Sequence, residues 1–370
     1  MNSSKRGVAL LLVMVSLVFL SVIAIEISFS SRVELAIGRN ARDRLQAGYL
    51  AAAGARLSML RLHLYKEVKN LAESKQLPIN LPPQLVDQIW SFAMPVFPLP
   101  TVKADWPGTM LSFIQSEGSK LPINLLDGNI HRGSSAEMAT SVRAEIETII
   151  KSMFEDEEFY KTYRDLEAKD LLDPLVDWID SDTNKVDSRG DEDADYDRLE
   201  SPYFPRNGRI PALSELGMIS GWTYDLTRRL KSNFSVINTS DKVNPNFIPI
   251  ERIRAYGPEL SNEDLKVIQK RRLDVPFANL KELQDFINSD PNIKNGRGFN
   301  FPSALKDSPR ETVFFVEATG EVGSARRTLR LGIRMREEAI KEGKSDDPPP
   351  RNPKPAKLEF PEVVTVEELL

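Results

Sequence analysis

Residues 5–28 read KRGVALLLVMVSLVFLSVIAIEIS, and the way this stretch is read decides the fold. Two basic residues, Lys5 and Arg6, precede Gly7, and no charge then occurs from Val8 to Ile25. As a helix that run covers about 27 Å, enough to cross a thin or locally adapted bilayer core. A secretory signal peptide shares the basic start, but it wants a shorter apolar core and a small-x-small cleavage site. Here Ala24-Ile25-Glu26-Ile27-Ser28 follows, and no Ala-x-Ala occurs. A retained anchor fits these features better than a cleaved signal. Basic residues ahead of the span place the N-terminus in the cytoplasm.

The helical pattern continues beyond the apolar run. Residues 31–65, SRVELAIGRNARDRLQAGYLAAAGARLSMLRLHLY, are rich in Ala, Leu and Arg and contain no proline. Leu35, Leu45, Tyr49, Leu57, Leu60 and Leu64 form a loose apolar stripe with small residues between them. This composition predicts one helix of about 55 residues, half in lipid and half packed on a globular head.

Composition removes several classes of chemistry. The 370 residues contain no cysteine and two histidines, His63 and His131, so disulfides, thiolate sites and most zinc sites are excluded. A net charge of −5 and a pI near 5.5 give no case for nucleic acid. His131-Arg132-Gly133-Ser134-Ser135 is the one place where a histidine lies beside serines, without a Gly-x-Ser-x-Gly elbow, and reads as a turn. Arg254-Ala255-Tyr256-Gly257-Pro258-Glu259-Leu260-Ser261 is similar to a helix-hairpin-helix turn, with Lys266, Lys270, Arg271 and Arg272 nearby, but packing explains it better than phosphate binding.

Prolines at 78, 82, 83, 95, 98 and 100 break the helix. Met110–Ile114 and Leu121–Leu126 read as strands, and Ala136–Leu172 regains a helical period. Residues 312–335, TVFFVEATGEVGSARRTLRLGIRM, alternate about Gly320–Gly323 and predict a hairpin. The tail 343–370 carries Asp346-Asp347-Pro348-Pro349-Pro350 and further prolines and reads as disordered.

Between 173 and 200 the chain holds eleven acidic against three basic residues. So much negative charge repels itself unless it is solvated, screened or bound to a cation. Asp180, Asp182 and Asn184 stand at the first three ligand spacings of an EF-hand loop and Asp191 at the twelfth, although Lys185 replaces the turn glycine. Asp187, Glu192, Asp193, Asp195 and Asp197 add oxygens for more than one ion, and Trp178 and Tyr196 bracket the acids. Without His or Cys the loop suits calcium better than zinc.

Lys5-Arg6-Gly7 before Val8-Ala9-Leu10-Leu11-Leu12, running into one long helix, resembles the class III signal of pilins and type II secretion pseudopilins. Most such proteins carry glutamate five residues after the cut, where this chain has Leu12. That departure is similar to the K-type minor pseudopilins (general secretion pathway protein K). Further matching stretches are Arg39–Arg44 with Tyr49–Gly54, Gly118–Leu125, Leu175–Asp182, Gly190–Asp193 with Tyr196, Pro205–Gly208, Leu213–Leu216, Val243–Asn246 and Pro276–Leu280.

The resemblance implies an α+β, pilin-like fold: a long N-terminal helix on an antiparallel sheet, with a large helical insert. Its divisions are a prepilin leader at 1–7, a transmembrane part at 8–29, stem and first strands at 30–135, and the insert at 136–290 with a calcium loop at 177–200. The C-terminal strands fall at 291–342 and the tail at 343–370. It implies no enzymatic activity. Prepilin peptidase would cleave between Gly7 and Val8, with methylation, leaving the chain in the inner membrane with its head in the periplasm. Partners would be other minor pseudopilins through the N-terminal helix, and secreted cargo, at a pseudopilus tip that the chain caps and initiates. One or two Ca2+ ions are expected. A minor pilin of a type IV pilus and an anchored, calcium-dependent periplasmic adhesin remain alternatives.

Overall fold

The computed structural model describes residues 3–73, 86, 89–91, 94–98, 108–127, 134–154, 156–186, 190–240, 242–303, 305–308, 310–335 and 361–369. His131 and Asp187 lie outside them, as do most of the proline-rich stretch after the first helix and the greater part of the tail.

Helix α1 (Ser3–Glu73) is one continuous helix of 71 residues. Its first part is long and apolar enough to cross a membrane, and none of that window is buried. Its second part lies on a five-stranded antiparallel sheet. The strands are β1 (Met94–Pro98), β2 (Thr109–Ser116), β7 (Val313–Val322), β8 (Ala325–Arg334) and β9 (Glu362–Leu369), in that spatial order.

The face of α1 that meets the sheet is not the large-residue stripe expected from sequence. Leu35, Leu45, Tyr49, Leu60 and Leu64 are exposed, whereas Ala47, Leu50, Ala51, Ala55, Leu62 and Tyr65 are buried. Close approach is the reason. A Cβ on Gly320 in β7 would come within 2.1 Å of the Ala47 carbonyl oxygen and 2.8 Å of the Ala51 nitrogen. Only small residues on the helix and glycine on the strand allow that crossing. Beyond it the gap widens, and Tyr65, Trp90 and Phe314 fill it with edge-on ring contacts.

The expected hairpin forms as β7 and β8, with Val322 opposite Ala325 and Gly323 at φ 58 in the turn. Met110–Ile114 lies within β2 as expected, but of Leu121–Leu126 only Leu121–Pro122 (β3) is strand, and Ile123–Leu126 winds into a 3-10 turn. The disordered reading of the tail is corrected over its last part. Glu362–Leu369 pairs antiparallel with β8, because Val363, Val364, Thr365 and Val366 form a β-branched run on an otherwise bare edge.

The insert builds two cores of its own. In the first, α2 (Ser134–Met153), α3 (Glu157–Tyr163), α4 (Ala168–Ile179) and α5 (Tyr224–Leu230) enclose Ile146, Ile149, Leu171, Leu175 and Trp222. A pair of parallel bridges, β3 with β4 (Phe234–Ser235) and β5 (Lys242–Val243) with β6 (Lys306–Asp307), ties the insert to its flanks. In the second core, α6 (Ile250–Tyr256), α7 (Asn262–Asp274) and α8 (Leu280–Ser289) surround Ile253, Ile268, Leu283 and Ile287. The helix-hairpin-helix resemblance resolves into packing. Arg271 stacks on Phe277 at 4.9 Å, and Arg272 donates to the Ile248 carbonyl at 2.9 Å.

Arg252, fully enclosed, joins the insert to the pilin-like part. Its Nε donates to Glu145 at 3.0 Å, and its Nη1 donates to the Ser119 carbonyl in the turn after β2 at 2.9 Å.

Candidate metal centre

The acidic loop starts where α4 ends. A capping box between Glu167 and Asp170 starts this strongly amphipathic helix, which buries Leu171, Leu172, Leu175 and Trp178. Asp177 and Asp180 therefore arrive at its C-terminal end, Asp180 as the cap residue. Carboxylates are disfavoured there, since the last carbonyls already present partial negative charge. The loop then returns through an antiparallel bridge between Asn184 and Asp191, with Glu192 N–H donating to the Thr183 carbonyl at 3.3 Å. This return places Glu192 over the helix end.

Asp180, Asp182 and Glu192 each offer a carboxylate oxygen within 4.8 Å of the others. Asp180 and Glu192 are buried. Asp180 Oδ1 and both carboxylate oxygens of Glu192 have no hydrogen-bond partner among the described residues. Burial, reinforced by Asp182, Asp177 and Asp127, pushes the Asp180 carboxyl up to about 7. Burial and the same cluster (Asp180, Asp177, Asp182 and Asp193) push Glu192 to about 8. Orphaned buried oxygens carrying mutual repulsion are what a divalent cation would relieve, so the residues present fit such an ion.

The other described residues singled out from sequence lie on the same loop but outside this group. Asp195 pairs with Lys185 Nζ at 2.7 Å. Asp191 caps the 3-10 turn Glu192–Asp195 by accepting from Asp193 N–H, and that turn breaks the alternation that would have aligned Asp191, Asp193, Asp195 and Asp197. Asn184 donates to Asp182 Oδ1 through its backbone N–H at 2.9 Å. Among the described residues one group of carboxylates, Asp180, Asp182 and Glu192, is close enough to share a cation.

Three contributors escaped the sequence reading. Asp177 holds the loop by accepting from Val186 N–H at 2.9 Å, and its spacing one helical turn before Asp180 was available as a signal. Asp127 comes from the end of the 3-10 turn Ile123–Leu126, and nothing in the sequence links it to the loop. Asn207 adopts φ 47, donates to the Asp182 carbonyl at 2.8 Å and leaves its own buried Oδ1 without a partner among the described residues. Trp178 and Tyr196 anchor the loop as a ring pair at 5.4 Å, and Trp178 Nε1 donates to Glu215 at 2.9 Å.

Residues 141–239, which contain the whole of this loop, match the family described as Type II secretion system (T2SS), protein K. The Type II secretion system protein K of Aeromonas hydrophila is 27% identical over 298 residues, spanning 77% of this chain and 82% of that protein. Over these residues the chain is similar to the type II secretion system protein K family. Its fold is similar to a chain in the crystal structure of the GspK-GspI-GspJ complex from enterotoxigenic Escherichia coli. The TM-score is 0.58 at 15% identity, covering 90% of this chain and 99% of that one.

Proposed function

We propose that the chain caps and helps initiate the pseudopilus that drives folded proteins through the outer membrane. The observation that carries this reading is the uninterrupted α1, apolar at its start and seated on the sheet at its end. Prepilin peptidase cuts between Gly7 and Val8, and residues 8–29 stay in the inner membrane with the head in the periplasm. The outward face of the stem, with Leu45, Tyr49, Leu60 and Leu64 exposed, packs against the stem helices of other minor pseudopilins. The solved GspK-GspI-GspJ complex, one chain of which has a similar fold, joins three different proteins of a type 2 secretion system, which supports a partnered subunit.

Calcium is the ion that suits the loop. The donors are all oxygens in irregular positions, and calcium accepts six to eight ligands without demanding an octahedron. Asp180, Asp182 and Glu192 hold it, and Asp177 and Asp127 add negative charge around them. The ion supplies cross-linking of the loop to the helix end and takes no part in a reaction.

The assembly reading is tested by crosslinking in intact membranes with a photoreactive residue at Tyr49, followed by identification of the captured proteins. Capture of other pseudopilins is expected. A stem that captures only itself or nothing, in cells that secrete normally, overturns it.

A further inference from the structure

The last strand is held unlike its neighbours. None of the described side chains of residues 361–367 is buried, whereas β2, β7 and β8 each contribute buried residues. Strand β9 is therefore retained chiefly by its backbone ladder to β8 and by charge. The register sets Glu362 opposite Arg334 and Glu367 opposite Arg330, with Arg330 Nη1 3.8 Å from the Glu367 carboxylate. A third feature fixes the middle. A Cβ on Gly332 would lie 2.5 Å from Thr365 Cγ2 and 3.2 Å from Ile237 Cδ1, so the missing side chain makes a notch for a small β-branched residue. The ladder also shifts between Gly332 and Ile333.

We propose that the outer edge of β8 is a docking site for an extended acidic segment of a partner protein, which β9 occupies in cis until it is displaced. The edge specifies its occupant chemically: a strand with a β-branched residue for the Gly332 notch and carboxylates on either side of it for Arg330 and Arg334. Strand β9 itself, EVVTVEEL, is the template for that segment. Pairing along a free sheet edge supplies affinity through the backbone, and the alternate side chains supply selectivity. A bare β8 would be a long exposed edge open to indiscriminate pairing, which a resident strand prevents. Because β9 buries no described side chain, its exchange leaves the three cores untouched.

The test uses the full chain in detergent and a fluorescent peptide of residues 361–369. Three forms are compared: the parent chain, an E362K/E367K chain whose own strand is repelled, and an L331C/V366C chain, reduced and then oxidised to lock β9 in place. The chain has no other cysteine to interfere. The peptide should bind E362K/E367K at least ~10-fold more tightly than the parent, lose affinity as salt rises, and fail to bind the oxidised lock. A peptide with both glutamates reversed to lysine should not bind. In hydrogen exchange of the parent chain, β9 amides should exchange at least ~100-fold faster than those of β7. Equal peptide affinity for all forms, or β9 protection in the E362K/E367K chain as strong as that of β7, overturns the proposal. Dimerisation of the parent chain through this edge also overturns it, since the occupant would then be a second copy.

Discussion

The carbonyl of Ala47 in the stem helix stands so close over Gly320 in the sheet that a Cβ at 320 would approach it to 2.1 Å. Backbone meets backbone there, so no rotamer change can relieve an added methyl group. Gly320→Ala should destabilise the head by about 3 kcal/mol or lift α1 off the sheet, as overpacking of a rigid contact does. Gly217→Ala, where nothing lies within 4 Å, serves as the neutral control. Chemical denaturation of the two variants distinguishes them.

The acidic cluster makes stability depend on pH in an unusual direction. The Asp180 and Glu192 carboxyls titrate near 7 and 8 in the native state, above their ordinary values near 4. Between those limits the native state binds more protons than the unfolded chain, so stability in chelator should fall as pH rises from about 4.5 to about 8. Saturating calcium should remove that fall. At a hundredfold excess over Kd the ion adds about 2.7 kcal/mol.

Neutralising the two buried acids separates repulsion from binding. Asp180→Asn with Glu192→Gln should raise the melting temperature in chelator at pH 8 and abolish the response to calcium. Melting curves with and without calcium check both parts. A calcium response that survives the double variant would place the ion elsewhere on the loop.

Arg252 is expected to be a point of failure. Replacing it with alanine leaves the enclosed Glu145 carboxylate without its counter-charge, with only Tyr256 Oη still donating to it, and removes this donor from the Ser119 carbonyl, which should cost about 3–5 kcal/mol. Arg252→Ala together with Glu145→Leu should recover part of that loss. Denaturant midpoints of the single and double variants measure it.

Processing gives a direct chemical readout. Intact mass and N-terminal sequencing of the membrane-extracted chain should show Val8 as its first residue. Leu12→Glu should lower membrane retention or assembly, because a carboxylate in hydrocarbon is costly without a partner. A mature chain beginning near residue 25–30 would contradict the anchor.

The long helix, the hairpin and the acidic loop were legible because each rests on a local signal: an uncharged run, alternation about glycine, and dense like charge. The buried face of α1 was not. Leu45, Tyr49 and Leu60 outrank Ala47, Ala51 and Ala55 in hydrophobicity, and only the position of Gly320, far along the chain, turns the smaller residues inward. The grouping of the loop's acids was legible in part. Asp180, Asp182 and Glu192 meet because the chain doubles back between Asn184 and Asp191, which spacing alone does not dictate. Strand β9 was hidden by the prolines before it, which lowered the whole tail's apparent order although Val363–Val366 is strand-forming.

Strand β2 finds its hydrogen-bonding neighbour β7 only after the entire insert has intervened. During synthesis the stem helix therefore has β2 to rest on early, but β7 and β8, which complete its seat, arrive only near the end of the chain. The two insert cores are assembled from contiguous sequence and can close earlier, so the order of maturation runs from the middle outward. A chain cut short before Val313 would display a finished insert on a stem that keeps β1 and β2 but lacks β7 and β8, a product that quality-control proteases can tell from the complete chain.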